Sequence, residues 1–346
     1  SGVVSATNSL VGGNNGDNIG LGGIWLLANG NFVVISQFWE YYGIAEHAGA
    51  ATLCSGTTGC AGVVSPANSL VGDWSNDEVG SGFVIPLTNG NYVVLSPRWE
   101  RYHEAGIETF NQGAATWCDG TSGCTGTVST ANSLVGTNRY DQVGVGGWAL
   151  PNGSYVVRSP YWDGTVEADV VGDVGAVTWC PGVGGCIGEV SPANSLVGEH
   201  MSDSIGSSGV FPLENGYYVV SSPYWDNGTI LDAGAATWCD GNAGCTGVIS
   251  AANSLVGSQR NDTVASGGIT ALANGNYVVN STNWNNGGLA YVGAITWVDG
   301  DTGLAGYVTP ENSLVGRSSN EWLGFGGVMA VCNGSYVVRS PYWDDA

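Results

Sequence analysis

The chain has 346 residues, with 7 cationic side chains, all arginine, against 29 acidic ones, giving a formal charge of −22. The absence of lysine excludes Schiff-base chemistry and a Walker-type phosphate loop, and a polyanion is a poor partner for nucleic acid or anionic membrane surfaces. Only 10% of residues are charged and 43% are apolar, yet no apolar run approaches the ~20 residues of a membrane span, so no membrane insertion is expected.

Read from the start, the chain opens at Ser1 rather than Met, which predicts a leader removed on export. The pentapeptide Asn-Ser-Leu-Val-Gly then begins at Asn8, Asn68, Asn132, Asn194, Asn253 and Asn312. Each copy is followed by an acid (Asp17, Asp77, Asp141, Asp203, Asp262, with Glu321 departing) and by a Gly-rich apolar stretch. Asn-Gly comes next, at 29–30, 89–90, 152–153, 215–216, 274–275 and 333–334, and predicts a hairpin with a two-residue type I′ turn. An aromatic-Val-Val run follows and ends at Trp39, Trp99, Trp162, Trp225, Trp284 or Trp343. Gly-Ala-x-Thr-Trp, a short Gly-containing loop and Gly-x-Val-Ser lead back to the pentapeptide.

β-Branched and aromatic residues dominate these runs and glycine interrupts every candidate helix, so the reading is all-β. Four antiparallel strands per unit are expected, the fourth running from Gly-x-Val-Ser to Leu-Val-Gly. About six such units predict a β-propeller of four-stranded blades, with a β-solenoid as the alternative. The units span 13–72, 73–136, 137–198, 199–257 and 258–316, in one repeat domain covering 1–346. A partial unit, 317–346, is expected to close against 1–12.

The cysteines fall as Cys54/Cys60, Cys118/Cys124, Cys180/Cys186 and Cys239/Cys245, each pair bracketing the loop after the third strand. Partners across a hairpin base lie within disulfide reach, and the fifth repeat loses both members together, to Val298 and Leu304. A zinc knuckle would need shorter spacing and further ligands nearby. Four intrachain disulfides are expected, and with them an oxidising compartment outside the cytosol. Cys332 has no counterpart and is a candidate for an interchain bond.

Gly-Ala-x-Thr-Trp occurs only five times, with Leu53 replacing the tryptophan in the first, so the last blade is expected to lack its third strand. A neighbouring subunit could donate that strand by β-addition, and repetition head to tail would build a filament. A three-stranded final blade is the simpler outcome.

No catalytic constellation emerges, and an enzyme is not expected. His47 and His103 read as solvated loop residues, and His200 has no equivalent partner in other repeats. The recurring acids read as caps on local backbone N–H groups. Calcium is the weaker alternative, at turns such as Asp299-Gly-Asp301 and Asp226-Asn-Gly, and no cofactor is expected. Tryptophan followed by a polar turn could stack on a sugar, which makes Trp99, Trp162 with Asp163, Trp225 with Asp226, and Trp284 candidate glycan-binding residues. Packing between blades explains the same recurrence. Sequons at Asn152, Asn227, Asn261, Asn280 and Asn333 suit an exposed surface.

The phrases Asn-Ser-Leu-Val-Gly, Asn-Gly-Asn-Tyr-Val-Val, Ser-Pro-x-Trp-Asp-Asn-Gly and Gly-Ala-x-Thr-Trp resemble a tandem repeat of bacterial secreted surface proteins. Filamentous-haemagglutinin-like adhesins are among them. The resemblance implies an extracellular or cell-surface, non-catalytic role in adhesion or matrix building, and transfers no catalytic residue. The cysteine pairs depart from the usual form of that repeat, which carries glycine at those sites. The expectation is a secreted structural or adhesive protein that self-associates, with a glycan-binding lectin as the runner-up.

Overall fold

The structure is a computed structural model that describes residues 2–101, 110–166 and 169–344. It divides into two compact units, Ser1–Trp162 with Cys180–Val190, and Asp163–Trp179 with Ser191–Ala346. Both are built from short strands, and among the described residues the only helical turn is the 3-10 turn Cys332–Gly334. The all-β expectation holds.

In the first unit, one sheet runs Gly23–Leu26, Phe32–Ser36, Ala50–Cys54, Leu70–Val71 and then Gly126–Thr127. The next runs Phe83–Pro86, Tyr92–Ser96, Ala114–Cys118, Leu134–Val135 and Gly188–Glu189. The second unit repeats the pattern from Gly209–Pro212 to Gly306–Tyr307, and again in a four-stranded sheet from Gly268–Ala271 to Leu314–Val315. Its last hairpin, Val328–Ala330 with Tyr336–Val338, stands as two strands.

Three strands of each repeat are the expected meander. The fourth is not one strand but two dipeptides. Leu70–Val71 closes its own repeat by pairing antiparallel with Ala50 and Ala51. Gly62–Val63 instead crosses back to pair in parallel with Leu10–Val11, the closing dipeptide of the repeat before. The same parallel addition joins Gly126–Thr127 to Leu70–Val71 and Gly306–Tyr307 to Leu255–Val256. The pentapeptide asparagine causes the break. Asn68 Oδ1 accepts the Ser65 N–H (2.9 Å) while its Nδ2 donates to the Val63 carbonyl (2.9 Å), folding the intervening residues into a turn.

The Asn-Gly connections also differ from the predicted turn. Leu27 N–H donates to the Asn31 carbonyl and Gly30 N–H to the Leu27 carbonyl, enclosing a three-residue loop. Only the glycine takes positive φ, at 87°, as in a type I turn followed by a left-handed bulge residue. The last repeat alone puts the asparagine there as well, with Asn333 at φ 63°.

The cores lie between consecutive sheets. In the first unit Val33 and Ile35 from one sheet pack with Val84, Val94 and Trp99 from the next. In the second, Val219 and Ala236 pack with Val279, Trp284 and Ala294. Within a strand, alternate residues face opposite sides of the sheet, and in Tyr92–Ser96, Tyr218–Ser222 and Tyr277–Ser281 every residue is buried, so both faces of these sheets are covered there.

Candidate functional site

The recurring polar and aromatic residues converge on the contacts within a repeat and between it and the next. The threonine of Gly-Ala-x-Thr-Trp and the serine of the pentapeptide share one buried hydrogen bond, 2.7 Å long in Thr52–Ser69, Thr116–Ser133 and Thr237–Ser254. This bond pins the closing dipeptide to the third strand in a place where an unpaired hydroxyl would be costly.

The recurring acid cements the opening loop, as its capping role predicts. Asp77 Oδ2 accepts the N–H groups of Asp73 and Trp74, both at 3.0 Å, and its Oδ1 accepts that of Glu100 at 2.9 Å. The last bond ties the loop to the residue after Trp99. Burial pushes the Asp77 carboxyl up to about 7, against the pull of those donors. Asp203 and Asp262 are raised by the same burial. The pentapeptide glycine makes room for the carboxyl, since a Cβ on Gly72 would meet the Asp77 side chain. Glu321, the departing residue, still accepts the Arg317 N–H through Oε2.

All four predicted disulfides are present: Cys54–Cys60, Cys118–Cys124, Cys180–Cys186 and Cys239–Cys245. The loop inside Cys118–Cys124 is ordered by Asp119, whose Oδ1 accepts from Thr121 and Ser122 backbone and side chains. Those bonds, led by the Thr121 hydroxyl, hold its carboxyl down at about 2.

The loops inside Cys118–Cys124, Cys180–Cys186 and Cys239–Cys245 are each a docking point of the repeat before. Asn29 and Asn31 both donate to the Gly120 carbonyl, at 2.7 and 2.8 Å. Asn89, Asn91 and the Trp117 indole all donate to Gly182, at 2.8, 3.0 and 3.0 Å. In the second unit Trp179 donates to Gly241 and Trp238 to Gly300, both at 2.8 Å. The accepting residue must be glycine, because a Cβ on Gly120 or Gly182 would run into the carbonyl of the Asn-Gly turn in its own repeat. This use of the Asn-Gly asparagine and of the third-strand tryptophan was not anticipated. Their recurrence about one repeat or one and a half repeats ahead of a loop glycine is the available signal.

Other candidates fall elsewhere. Trp99, Trp162, Trp225 and Trp284 are buried, so the core covers their rings and leaves no open face for a sugar. Packing accounts for them. Asp163 and Asp226 accept the N–H groups of Asp173 (2.9 Å) and Asp232 (2.7 Å), and Asp299 accepts that of Asp301 (2.9 Å). The turns at Asp226 and Asp299, where calcium is the weaker alternative, thus carry local bonds. Asn280 is buried and donates to the Gly324 carbonyl at 2.9 Å, which removes it as an exposed sequon. His47 is exposed against Phe38, His200 lies 3.8 Å from Asp203, and His103 is outside the described residues. Cys332 is a free, exposed thiol in the last hairpin turn.

A family described as a repeat of unknown function (DUF5650) matches residues 1–21, 26–81, 86–145, 149–207, 212–266, 271–325 and 330–346. The chain belongs to this family. No curated protein matches it. The DUF5650 matches break at or beside the first strand of each repeat, so the family unit runs from one first strand to the next. It contains the Asn-Gly donors of one repeat together with the acid-capped loop that opens the following one.

Proposed function

We propose that this DUF5650 chain is a secreted, non-catalytic structural or adhesive protein whose repeats are propeller blades and whose copies self-associate outside the cell. The observation that carries the reading is the junction. Its conspicuous side chains, from the loop-docking asparagines and tryptophans to the capping aspartates, bind backbone atoms of their own or the next repeat. A surface made to be added to is a scaffold. The meander within each repeat and the face-to-face cores within each unit support blades over the parallel rungs of a solenoid. The four disulfides suit an oxidising exterior, and the resemblance to secreted haemagglutinin-like repeats agrees with it.

Sedimentation velocity on the oxidised chain tests the reading. Self-association gives species that grow with protein concentration, and negative-stain images then show particles longer than a single chain. A monomer at every concentration overturns it.

A further inference from the structure

The repeats vary in length chiefly in one place. From the Asn-Gly asparagine to the tryptophan that ends the second strand is ten positions in all six copies. From Leu53, Trp117, Trp179, Trp238 or Trp297 to the next pentapeptide asparagine is fifteen. Between the second-strand tryptophan and the glycine of Gly-Ala-x-Thr-Trp lie instead 9, 13, 12, 8 and 8 residues. The base of this loop is constant: Gly49 N–H donates to the Trp39 carbonyl and Gly293 N–H to the Trp284 carbonyl, both at 3.0 Å. Length and sequence vary above that base, as they do in binding loops carried on a rigid scaffold.

A cavity lies beside this loop. In the first repeat it holds about 410 Å³ and is lined by Asn14, Glu40, Tyr41, Tyr42, Glu46 and Ser75. In the fifth it holds about 340 Å³, and the counterparts Gln259, Asn285, Gly287 and Ala290 line it with Arg260 and Tyr291. The fifth-repeat cavity is open although both neighbouring repeats are in place. Asn261 N–H donates to the Leu231 carbonyl of the repeat before, and Asn320 N–H of the repeat after donates to the Ala290 carbonyl. The cavity therefore belongs to the fold and persists between neighbours. Trp74, the counterpart of Asn14 in the second repeat, likewise stays 42% exposed with a repeat before it.

The first-repeat cavity carries unpaired charge. Neither the Glu40 nor the Glu46 side chain makes a hydrogen bond or an ion pair among the described residues, and no residue lining the cavity is basic. Tyr41 is held by stacking on buried Trp39, with ring centroids 5.6 Å apart, and Tyr42 is 83% exposed. We propose that this cavity binds a cationic group, an alkyl ammonium or a guanidinium, with Glu40 and Glu46 as its counter-charges and the Tyr41 and Tyr42 rings as its walls. Aromatic faces attract a cation and add to the small contribution of exposed carboxylates. An anion is repelled here, and a neutral sugar would cover both carboxylates without supplying a counter-charge. The formal charge of −22 concentrates cations around the chain. In the fifth repeat, amides and Arg260 replace the carboxylates, so the same cavity there does not take a cation. The site goes beyond the self-association proposed above and does not depend on it.

Isothermal titration calorimetry on the whole oxidised chain at low salt tests the site, with spermidine, acetyl-Gly-Arg-Gly-amide and neutral maltose as probes. Saturable binding of a cation and none of maltose is expected. Glu40→Gln combined with Glu46→Gln, and separately Tyr42→Ala, should each weaken cation binding about tenfold or more, with circular dichroism unchanged. Glu214→Gln combined with Glu311→Gln makes the same change of charge at exposed positions outside the cavity lining and should leave binding as it was. Tighter binding of spermidine assigns a polyamine, and tighter binding of the peptide assigns a protein side chain; either supports the site. No saturable binding of either cation overturns the proposal, as does maltose binding that Tyr42→Ala abolishes. Equal weakening by the two double variants, with none from Tyr42→Ala, shows only diffuse attraction to a polyanion and overturns it as well.

Discussion

The second and fifth repeats build the same loop after the third strand by different means. In the second, Cys118–Cys124 closes the hairpin base with Cα atoms 5.2 Å apart. In the fifth, Val298 is buried at the first site and Leu304 packs against the core at the second. The loop is nevertheless the same. Gly123 N–H donates to the Asp119 carbonyl and Gly303 N–H to the Asp299 carbonyl, both at 2.9 Å. Asp119 Oδ1 accepts the Thr121 N–H and Asp299 Oδ1 that of Asp301. Both loops also serve the preceding repeat, through Asn29 on Gly120 and Trp238 on Gly300. The loop's shape therefore comes from the glycine and the aspartate, and the disulfide's contribution is to restrict the unfolded chain.

The largest expected effect tests whether the two repeats share one kind of core. Trp99→Ala and Trp284→Ala should each cost about 4 kcal/mol in denaturant unfolding, because both rings are buried and the voids cannot fully collapse. A much smaller loss at Trp284 would mean that the fifth repeat is loosely packed.

Next is pH, where the opening loops differ. Asp77 titrates near 7 in the folded chain instead of 3.8. Stability from this group is complete below about pH 4, is lost as pH rises to about 7, and is flat above, a change of up to about 4 kcal/mol. Asp262 is also raised by burial, but an extra donor, Asn285 Nδ2 at 2.8 Å, favours its charged form. Melting temperatures should fall between pH 5 and pH 7.5, and Asp77→Asn should flatten that slope more than Asp262→Asn.

The disulfides sharpen the comparison directly. Replacing Cys118 and Cys124 by serine should cost about 2 kcal/mol, and installing cysteines at Val298 and Leu304 should gain a similar amount if a fifth bond forms. Thermal melts with and without reductant measure both. The smallest effect concerns the loop docking. Trp238→Phe keeps most of the ring but deletes the donor to Gly300, and about 1 kcal/mol should be lost. The same change at Trp297, the exposed counterpart in the fifth repeat, should cost little.

Much of this organisation is legible in the chain itself. Recurrence of a sixty-residue phrase implies recurrence of a structural unit, and paired loss of Cys at 298 and 304 implies paired cysteines. An acid always following the pentapeptide implies a capped loop. The split fourth strand was illegible, because Gly-x-Val-Ser and Leu-Val-Gly read as one extended run. Nothing local says that Gly62 pairs with Leu10, fifty-two residues back. The candidate glycan tryptophans failed for a related reason. A ring beside a polar turn looks the same in sequence whether a sugar or the neighbouring sheet covers it.

Local chemistry alone determined the all-β character, the repeat number, the meander and the cysteine pairing, since each depends on residues within one repeat or on comparison between repeats. Tertiary structure decided which edge each dipeptide joins, which face of each sheet is covered and which carbonyl each asparagine reaches. Those outcomes depend on a neighbour's backbone, whose hydrogen-bonding groups are common to every residue and leave no mark in the side-chain pattern.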